Sequence, residues 1–332
     1  MKIILDGLGG DNAPDAEIVG ASEAVREGIA LIVVGPEKIL KKRLKKDVLK
    51  KIEIYDCEER VEMEDSPSEA IRKKKNSTIA VGIRLLKEGY GDAFVSAGNT
   101  GAVMAFSLFN LGTAEGVIRP AIGGIIPRKN GASILIDMGA NVDSNAIQLC
   151  QFAIMGGVYY RIAFGKNAPS IGLLSTGKER GKGNRVVKEA DKILEKAPIN
   201  YIGLVEGRDV FTGTADVVVC DGFVGNTLLK SGEALVEFIL DTVKEEVKRN
   251  PRAIFGYLLM RKALIKVKKK LDYSEYGGAP LLGVKKPVFI CHGSSPPAAI
   301  KNALKLAEKI SRDGLIEKVV SAIEESIKWL PT

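Results

Sequence analysis

Six times along this chain an apolar run rich in β-branched residues stops at a loop of Gly, Asn, Asp, Ser and Thr, and a helix-like stretch usually follows. The six are KIILDGLGGDNAP (2–14), AFVSAGNTGA (93–102), SILIDMGANVDSN (133–145), SIGLLSTGKERGKGN (170–184), DVVVCDGFVGNTLLK (216–230) and PVFICHGSSPPAA (287–299). Runs such as Ile-Leu-Ile or Val-Val-Val are apolar on both faces, which suits strands of a parallel sheet covered on each side by helices. In such sheets the loops at the carboxyl ends of the strands share one edge, where ligands bind. The pattern predicts an α/β fold whose small polar residues collect at one mouth, as in an enzyme.

At 332 residues the chain is long enough for a large core, and 45% hydrophobic with 27% charged residues is ordinary for a soluble globular protein. The start, MKIILDGLGGD, meets charge and glycine after three apolar residues, too few for a signal peptide. No uncharged apolar run approaches the roughly 20 residues that span a bilayer. Cys57, Cys150, Cys220 and Cys291 are far apart and form no CxxC pair, so they are expected to be reduced, buried thiols of a cytoplasmic protein. The net charge of +8 is local: residues 247–271 hold nine Lys or Arg and no acid, and without them 40 bases face 41 acids. A nucleic-acid reader spreads its charge along a face with stacking aromatics, so nucleic acid is not expected. A local patch points instead to an anionic surface or an acidic partner.

The pattern predicts one α/β domain over 1–332 with a helical excursion at 227–271. DNAPDAEIVGASEAVREG reads as a helix, LIVVGP as a strand, KILKKRLKKDVLKK as an exposed basic helix and IEIYDC as a strand. The acidic loop 58–75 reads as a solvated connection, or as a charged clamp for a lid. STIAVGIRLLKEG is a helix with a glycine stop. From Thr227 to Asn250, Leu228, Leu235, Phe238, Ile239, Val243 and Val247 recur near helical spacing, giving one long amphipathic helix that Asn250-Pro251 breaks. AIFGYLLM (253–260), a basic stretch, a Gly-Gly turn in EYGGAPLLG, a strand and a C-terminal helix follow.

Nucleotide motifs fail in detail. Gly7-x-Gly9 is followed by Asn12 rather than a third glycine. Gly172 to Lys178 fits GxxxxGK, but Glu179 stands where Ser or Thr would bind magnesium. There is no GxSxG elbow, HExxH or cysteine cluster. Asp6, Asp11, Asp137 and Asp221 end strands and could hold a divalent ion together, although capping of the helices and loops that follow is their ordinary role. His292, the only histidine, ends a strand before Gly-Ser-Ser, in a segment like the adenine-holding HGSxP of isopropylmalate and isocitrate dehydrogenases. Imidazole titrates near neutrality and serves as acid, base or donor. The strongest candidates for chemistry are Lys182, between two glycines, and Asn226, which opens the long helix. Gly9, Gly10, Asp11, Ser96, Asn99, Thr100, Gly101, Asp137, Asn141, Asp221, Gly225, Ser294 and Ser295 are the candidate substrate and phosphate ligands, because small-residue loops and helix starts offer N–H groups to anions.

The ordered set DGLGGDNAP, SAGNTGA, DMGAN, LLSTGKERGKGN, DVVVCDGFVGNTLLK, EYGGAPLLG and HGSS resembles the PlsX-type phosphate acyltransferases from residue 1 to about 310. It departs at Leu8, where methionine is usual, and at Cys291, where alanine is common. The resemblance implies a three-layer Rossmann-like fold of the isopropylmalate-dehydrogenase type shared by phosphotransacetylases. It implies transfer of a fatty acyl group from acyl carrier protein to inorganic phosphate, without cofactor or metal, in a cytoplasmic homodimer. It further implies catalytic roles for Lys182 and Asn226 and a membrane glycerol-phosphate acyltransferase to receive the product; in such a reaction His292 and Ser294 or Ser295 could orient phosphate or protonate the departing thiolate. Ile254, Phe255, Leu258, Leu259 and Lys262 are expected to meet an anionic membrane surface or a partner, which makes the protein peripherally membrane-associated. An NAD-dependent β-decarboxylating dehydrogenase shares the fold but needs an Arg cluster and metal carboxylates that are not found here. A non-catalytic membrane scaffold leaves the polar strand ends without purpose.

Overall fold

The computed structural model describes residues 1–249, 251–271 and 276–331. Asn250 of the expected break and Glu275 of the Gly-Gly turn lie outside these, as do the side chains of Lys268, Lys269 and Lys270. All six apolar runs are strands: β1 (Lys2–Asp6), β4 (Ala93–Ser96), β6 (Gly131–Ile136), β7 (Ile171–Leu174), β9 (Val217–Val219) and β11 (Val288–Ile290). With β2 (Ala30–Gly35), β3 (Ile52–Asp56), β5 (Ala121–Arg128), β8 (Tyr201–Val205) and β10 (Ala279–Leu282) they form an 11-stranded sheet ordered β3-β2-β1-β4-β11-β10-β5-β6-β9-β7-β8.

The two-faced apolar runs are buried on both faces, as expected. Ile3 and Leu5 of β1 and Val33 of β2 pack with Ala21 and Ala24 of α1 (Asp15–Arg26) and Ile300 and Leu304 of α12 (Pro297–Arg312). Ile4 and Ile32 point the other way, onto Ile79, Ile83 and Leu86 of α5 (Thr78–Glu88). In the other half, Ile134, Ile136, Val217 and Val219 face α7 (Ala146–Phe164), while Leu135 and Val218 pack beneath α9 (Gly207–Thr212). α7 is apolar almost all round and buried through Tyr160, so its ends must satisfy themselves. A capping box of Asn145 and Gln148 opens it, and Gly165, at φ 73°, closes it. Contact between α1 and α12 depends on Gly20: a Cβ there would stand 2.8 Å from Ile300 Cβ.

The sheet departs from the expected parallel edge. β3, β2, β1, β4 and β11 run one way, but β10 is antiparallel to β11 and β5, and β5 is antiparallel to β6. β6, β9, β7 and β8 therefore run opposite to the first block. The polar strand ends fall at two edges rather than one mouth. β5, β8 and β10 are not legible in the apolar pattern. β5 contains Gly123, Gly124 and Pro127, and β10 contains Pro280, residues that weaken a strand's signal. The long helix begins earlier than expected, as α10 (Gly222–Arg249), and α11 (Pro251–Leu271) pairs with it. All four cysteines are buried.

Candidate active site

On the second face of the sheet, α6 (Thr100–Asn110) and α10 stand apart over β5, β10 and β11, leaving a cavity of about 640 Å³. α6 contributes Thr100, Gly101, Met104, Ala105 and Leu108; α10 contributes Asn226, Leu229, Lys230 and Glu233; Ile122, Gly124 and Ile125 of β5 and Met138 lie below. α6 leaves the end of β4 and α10 the end of β9, strands that run in opposite directions. The helices are therefore antiparallel across the cavity. Thr100 and Gly101 stand with His292 and Ser295 at one end, and Asn226 stands with Gly139 and Ala140 at the other.

At the first end, His292 Nδ1 accepts the Ser294 N–H at 3.2 Å and lies 2.8 Å from Ser294 Oγ. An accepting Nδ1 leaves the imidazole proton on Nε2, as a donor. Most of the N–H groups expected to cradle an anion there already have partners. Gly10 N–H donates to Glu17 Oε1 at 3.0 Å, Asp11 N–H to Gly293 O at 2.8 Å and Gly98 N–H to Ser96 Oγ at 3.0 Å. Gly9 lies tight against Asp6, its would-be Cβ 2.6 Å from Asp6 Oδ2. The first N–H groups of α6, at Thr100 and Gly101, have no acceptor within the helix, and both residues line the cavity.

Several candidate ligands serve the scaffold instead. Ser96 is buried, with its Oγ donating to Asp6 Oδ2 at 2.7 Å. Asn99 caps α6 through Ala102 N–H, and its amide N–H groups hold the acidic loop at the carbonyls of Met63 and Asp65, each at 2.9 Å. The acidic loop is thus anchored over the first end rather than being a free connection. Asp137 accepts N–H groups of Ile122, Gly139, Ala140 and Asn141, along with the Asn141 side chain, which also donates to Pro120 O. Asp221 caps α10 through Val224 N–H, so Asn226 does not cap that helix. Gly225 permits close packing: a Cβ there would sit 1.9 Å from Asp137 O.

Asn226 differs from these. Asn99, Asn141, Asn145 and Asn184 all bond backbone groups, whereas no hydrogen bond engages the Asn226 amide among the described residues. It faces the cavity against Gly139, which holds φ at 131°. Lys182 is exposed and outside the cavity, its side chain lying back over Gly177. Its loop follows β7, the neighbour of β9, so it shares an edge with the loop that leads to Asn226. Lys178 is paired with Asp209 at 2.9 Å, in keeping with the rejected P-loop. No three His, Cys, Asp or Glu among the described residues are grouped to hold a metal ion.

Two acids were missed. Glu17 is 1% exposed, and burial pushes its carboxyl up to about 7 against the opposing Gly10 bond. The legible signal was its place on the inner face of α1, four residues from Ala21 and seven from Ala24. Glu233 lines the cavity with an Oε1 that is closed to water and has no partner. It shares the helical face of Asn226, seven residues on, and the apolar spacing of that helix does not single it out.

The phosphotransacetylase EutD from Staphylococcus aureus superposes with a TM-score of 0.58 at 18% identity, covering 93% of this chain and 94% of that one. A phosphotransacetylase from Streptococcus pyogenes gives 0.57 at 19% identity, covering 98% and 94%. At these identities the likeness shows the shared fold. A phosphate acyltransferase of Geotalea daltonii is 46% identical over 329 residues, 98% of this chain and 95% of that protein. One from Thermoanaerobacter pseudethanolicus is 44% identical over 326 residues, 98% of each. A family model described as "fatty acid synthesis protein" matches residues 1–318. With near-complete coverage on both sides, the chain belongs to the phosphate acyltransferase family of fatty acid synthesis proteins.

Proposed function

We propose that this enzyme moves a fatty acyl group from the thioester of acyl carrier protein to inorganic phosphate, giving an acyl phosphate for phospholipid synthesis. Within the family assignment, the observation that carries the site is the unpartnered Asn226 amide in a largely apolar cavity. A phosphate oxygen attacks the thioester carbon, the carbonyl oxygen takes the negative charge, and collapse breaks the C–S bond to leave acyl phosphate and a thiolate that is then protonated. The Asn226 N–H groups donate to that oxyanion, a role worth about 3 kcal/mol in comparable sites. Lys182, one strand away at the same edge, is the cation that draws phosphate to this end. His292, with Thr100, Gly101 and Ser295, anchors the bound donor from the other end.

Mass spectrometry of acyl carrier protein thioester incubated with enzyme and phosphate tests the reading. Acyl phosphate should appear only with phosphate present. Free fatty acid as the sole product, or reduction of NAD by a hydroxy acid, would reject it.

The exposed helical pair supports peripheral attachment to an anionic membrane in the cytoplasm. Phe255 is 66% and Leu259 72% exposed, beside Ile254, Leu258 and Met260 and the cations Arg261, Lys262 and Lys266. α11 carries no acid, and each cation near an anionic surface contributes about 1 kcal/mol. No helix among the described residues is long and apolar enough to cross a membrane. The same reading includes a homodimer, docking of acidic carrier protein on the basic face, and delivery of product to a membrane glycerol-phosphate acyltransferase.

A further inference from the structure

We infer that the two walls of the cleft sort the two arms of the acyl donor: the thiol arm lies along α10, where Glu233 receives its amide N–H groups, and the acyl chain lies along α6. The inference rests on the acyl-transfer reading above. The walls differ in chemistry. Beyond Gly101, α6 offers Met104, Ala105 and Leu108, at helical spacing and with no hydrogen-bonding side chain except the weak thioether of methionine. With Ile122 and Ile125 of β5 below, that wall suits a chain of methylenes. The facing wall presents Asn226, Lys230 and Glu233, with Leu229 as its one apolar member, along α10.

Glu233 is the discriminating residue. Its Oε1 is shut from water without a donor, and among the described residues no ion pair joins it to Lys230. A buried acceptor left unmade is unfavourable, and a hydrocarbon chain brings no donor to relieve it. A pantetheine arm does, because it carries amide N–H groups at fixed bond counts from its sulfur. Seven residues separate Glu233 from Asn226, about 10 Å along the helix. A thioester whose carbonyl sits at Asn226 therefore passes its thiol arm by Glu233 toward His292 and the start of α6. Glu233 is accordingly a positioning residue, remote from the reacting atoms.

The test is calorimetric binding of pantetheine itself to the wild type, Glu233→Leu and Glu233→Gln, followed by kinetics. Loss of one hydrogen bond to a charged acceptor should weaken pantetheine binding to Glu233→Leu by about tenfold to a hundredfold. Glu233→Gln, which keeps an acceptor, should stay within about threefold. In turnover, Glu233→Leu should raise KM for acyl-pantetheine while leaving kcat, and the KM of a simple alkyl thioester, unchanged. Ala105→Phe should disfavour long acyl chains relative to short ones, by about fourfold for each methylene denied a place. Equal pantetheine affinity in wild type and Glu233→Leu, or no binding by the wild type, overturns the assignment. Pantetheine binding that depends on Glu233, without acyl phosphate from any thioester, would instead reject the reaction while upholding the arm's placement.

Discussion

Replacing Glu17 by Gln should make the protein more stable at alkaline pH and leave it unchanged in acid. Glu17 is buried beneath the GLGGD loop, with Oε1 on Gly10 N–H and Oε2 without a partner. Burial raises its carboxyl from 4.5 to about 7. The folded state therefore holds the proton more tightly than the unfolded chain does. The stability this provides is complete below about pH 4.5 and is lost as pH rises through 7. Roughly 2.5 pH units at about 1.36 kcal/mol each give about 3 kcal/mol. Gln keeps the acceptor for Gly10 and never ionises, so it escapes the loss. At about 2.1 cal/mol/K per residue, 332 residues unfold with an entropy of roughly 0.7 kcal/mol/K, so the difference reads as about 4 °C. Melting curves of both proteins should coincide near pH 4.5 and separate by that amount at pH 8.5, with Gln higher. Asp137, buried elsewhere, titrates in both proteins and cancels in the difference, whereas the Asp6 charge helps to raise Glu17 and so belongs to the difference. Coincident curves at pH 8.5, or a Gln variant that melts lower there, would refute a neutral Glu17 in the fold.

Asn226→Ala should lower turnover about a hundredfold with an unchanged melting temperature, and turnover within threefold of wild type would remove it from the oxyanion site. Lys182→Ala should raise KM for phosphate several-fold and flatten its salt dependence; an unchanged KM would confine the lysine to the surface. Gly225→Ala places a Cβ 1.9 Å from Asp137 O, so the first turn of α10 must shift, costing about 1–3 kcal/mol of stability. The same shift moves Asn226 and should reduce turnover by about a hundredfold; normal turnover would show that this packing does not set the site. Flotation with anionic vesicles should fall with salt and with Leu258→Glu or Leu259→Glu, and equal flotation of all three proteins would count against attachment through this face.

Much was legible because it depends on neighbours along the chain. The six apolar runs are strands since side chains that are apolar on both faces need cover on both faces, and the long helix follows from its spacing of leucine, phenylalanine and valine. Asn226 was recognisable as a residue opening the long helix and His292 as one ending a strand, and both line the cavity. Strand direction was not legible, because it depends on long-range pairing, and β5 and β10 hide behind Gly123, Gly124 and Pro280. Those two central strands reverse the second half of the sheet, so the polar loops divide between two ends of one cleft. Nor could sequence assign hydrogen bonds between distant segments: Asn99 and Asn141 are the same letter as Asn226, yet the fold gives both of them backbone partners. The sequence by itself determined the strands, their two-sided burial and the supply of polar groups. Only tertiary structure decided which of those groups stay unpartnered, that Glu17 is buried and that one oxygen of Glu233 is closed to water, since burial and hydrogen-bond satisfaction belong to the packed chain.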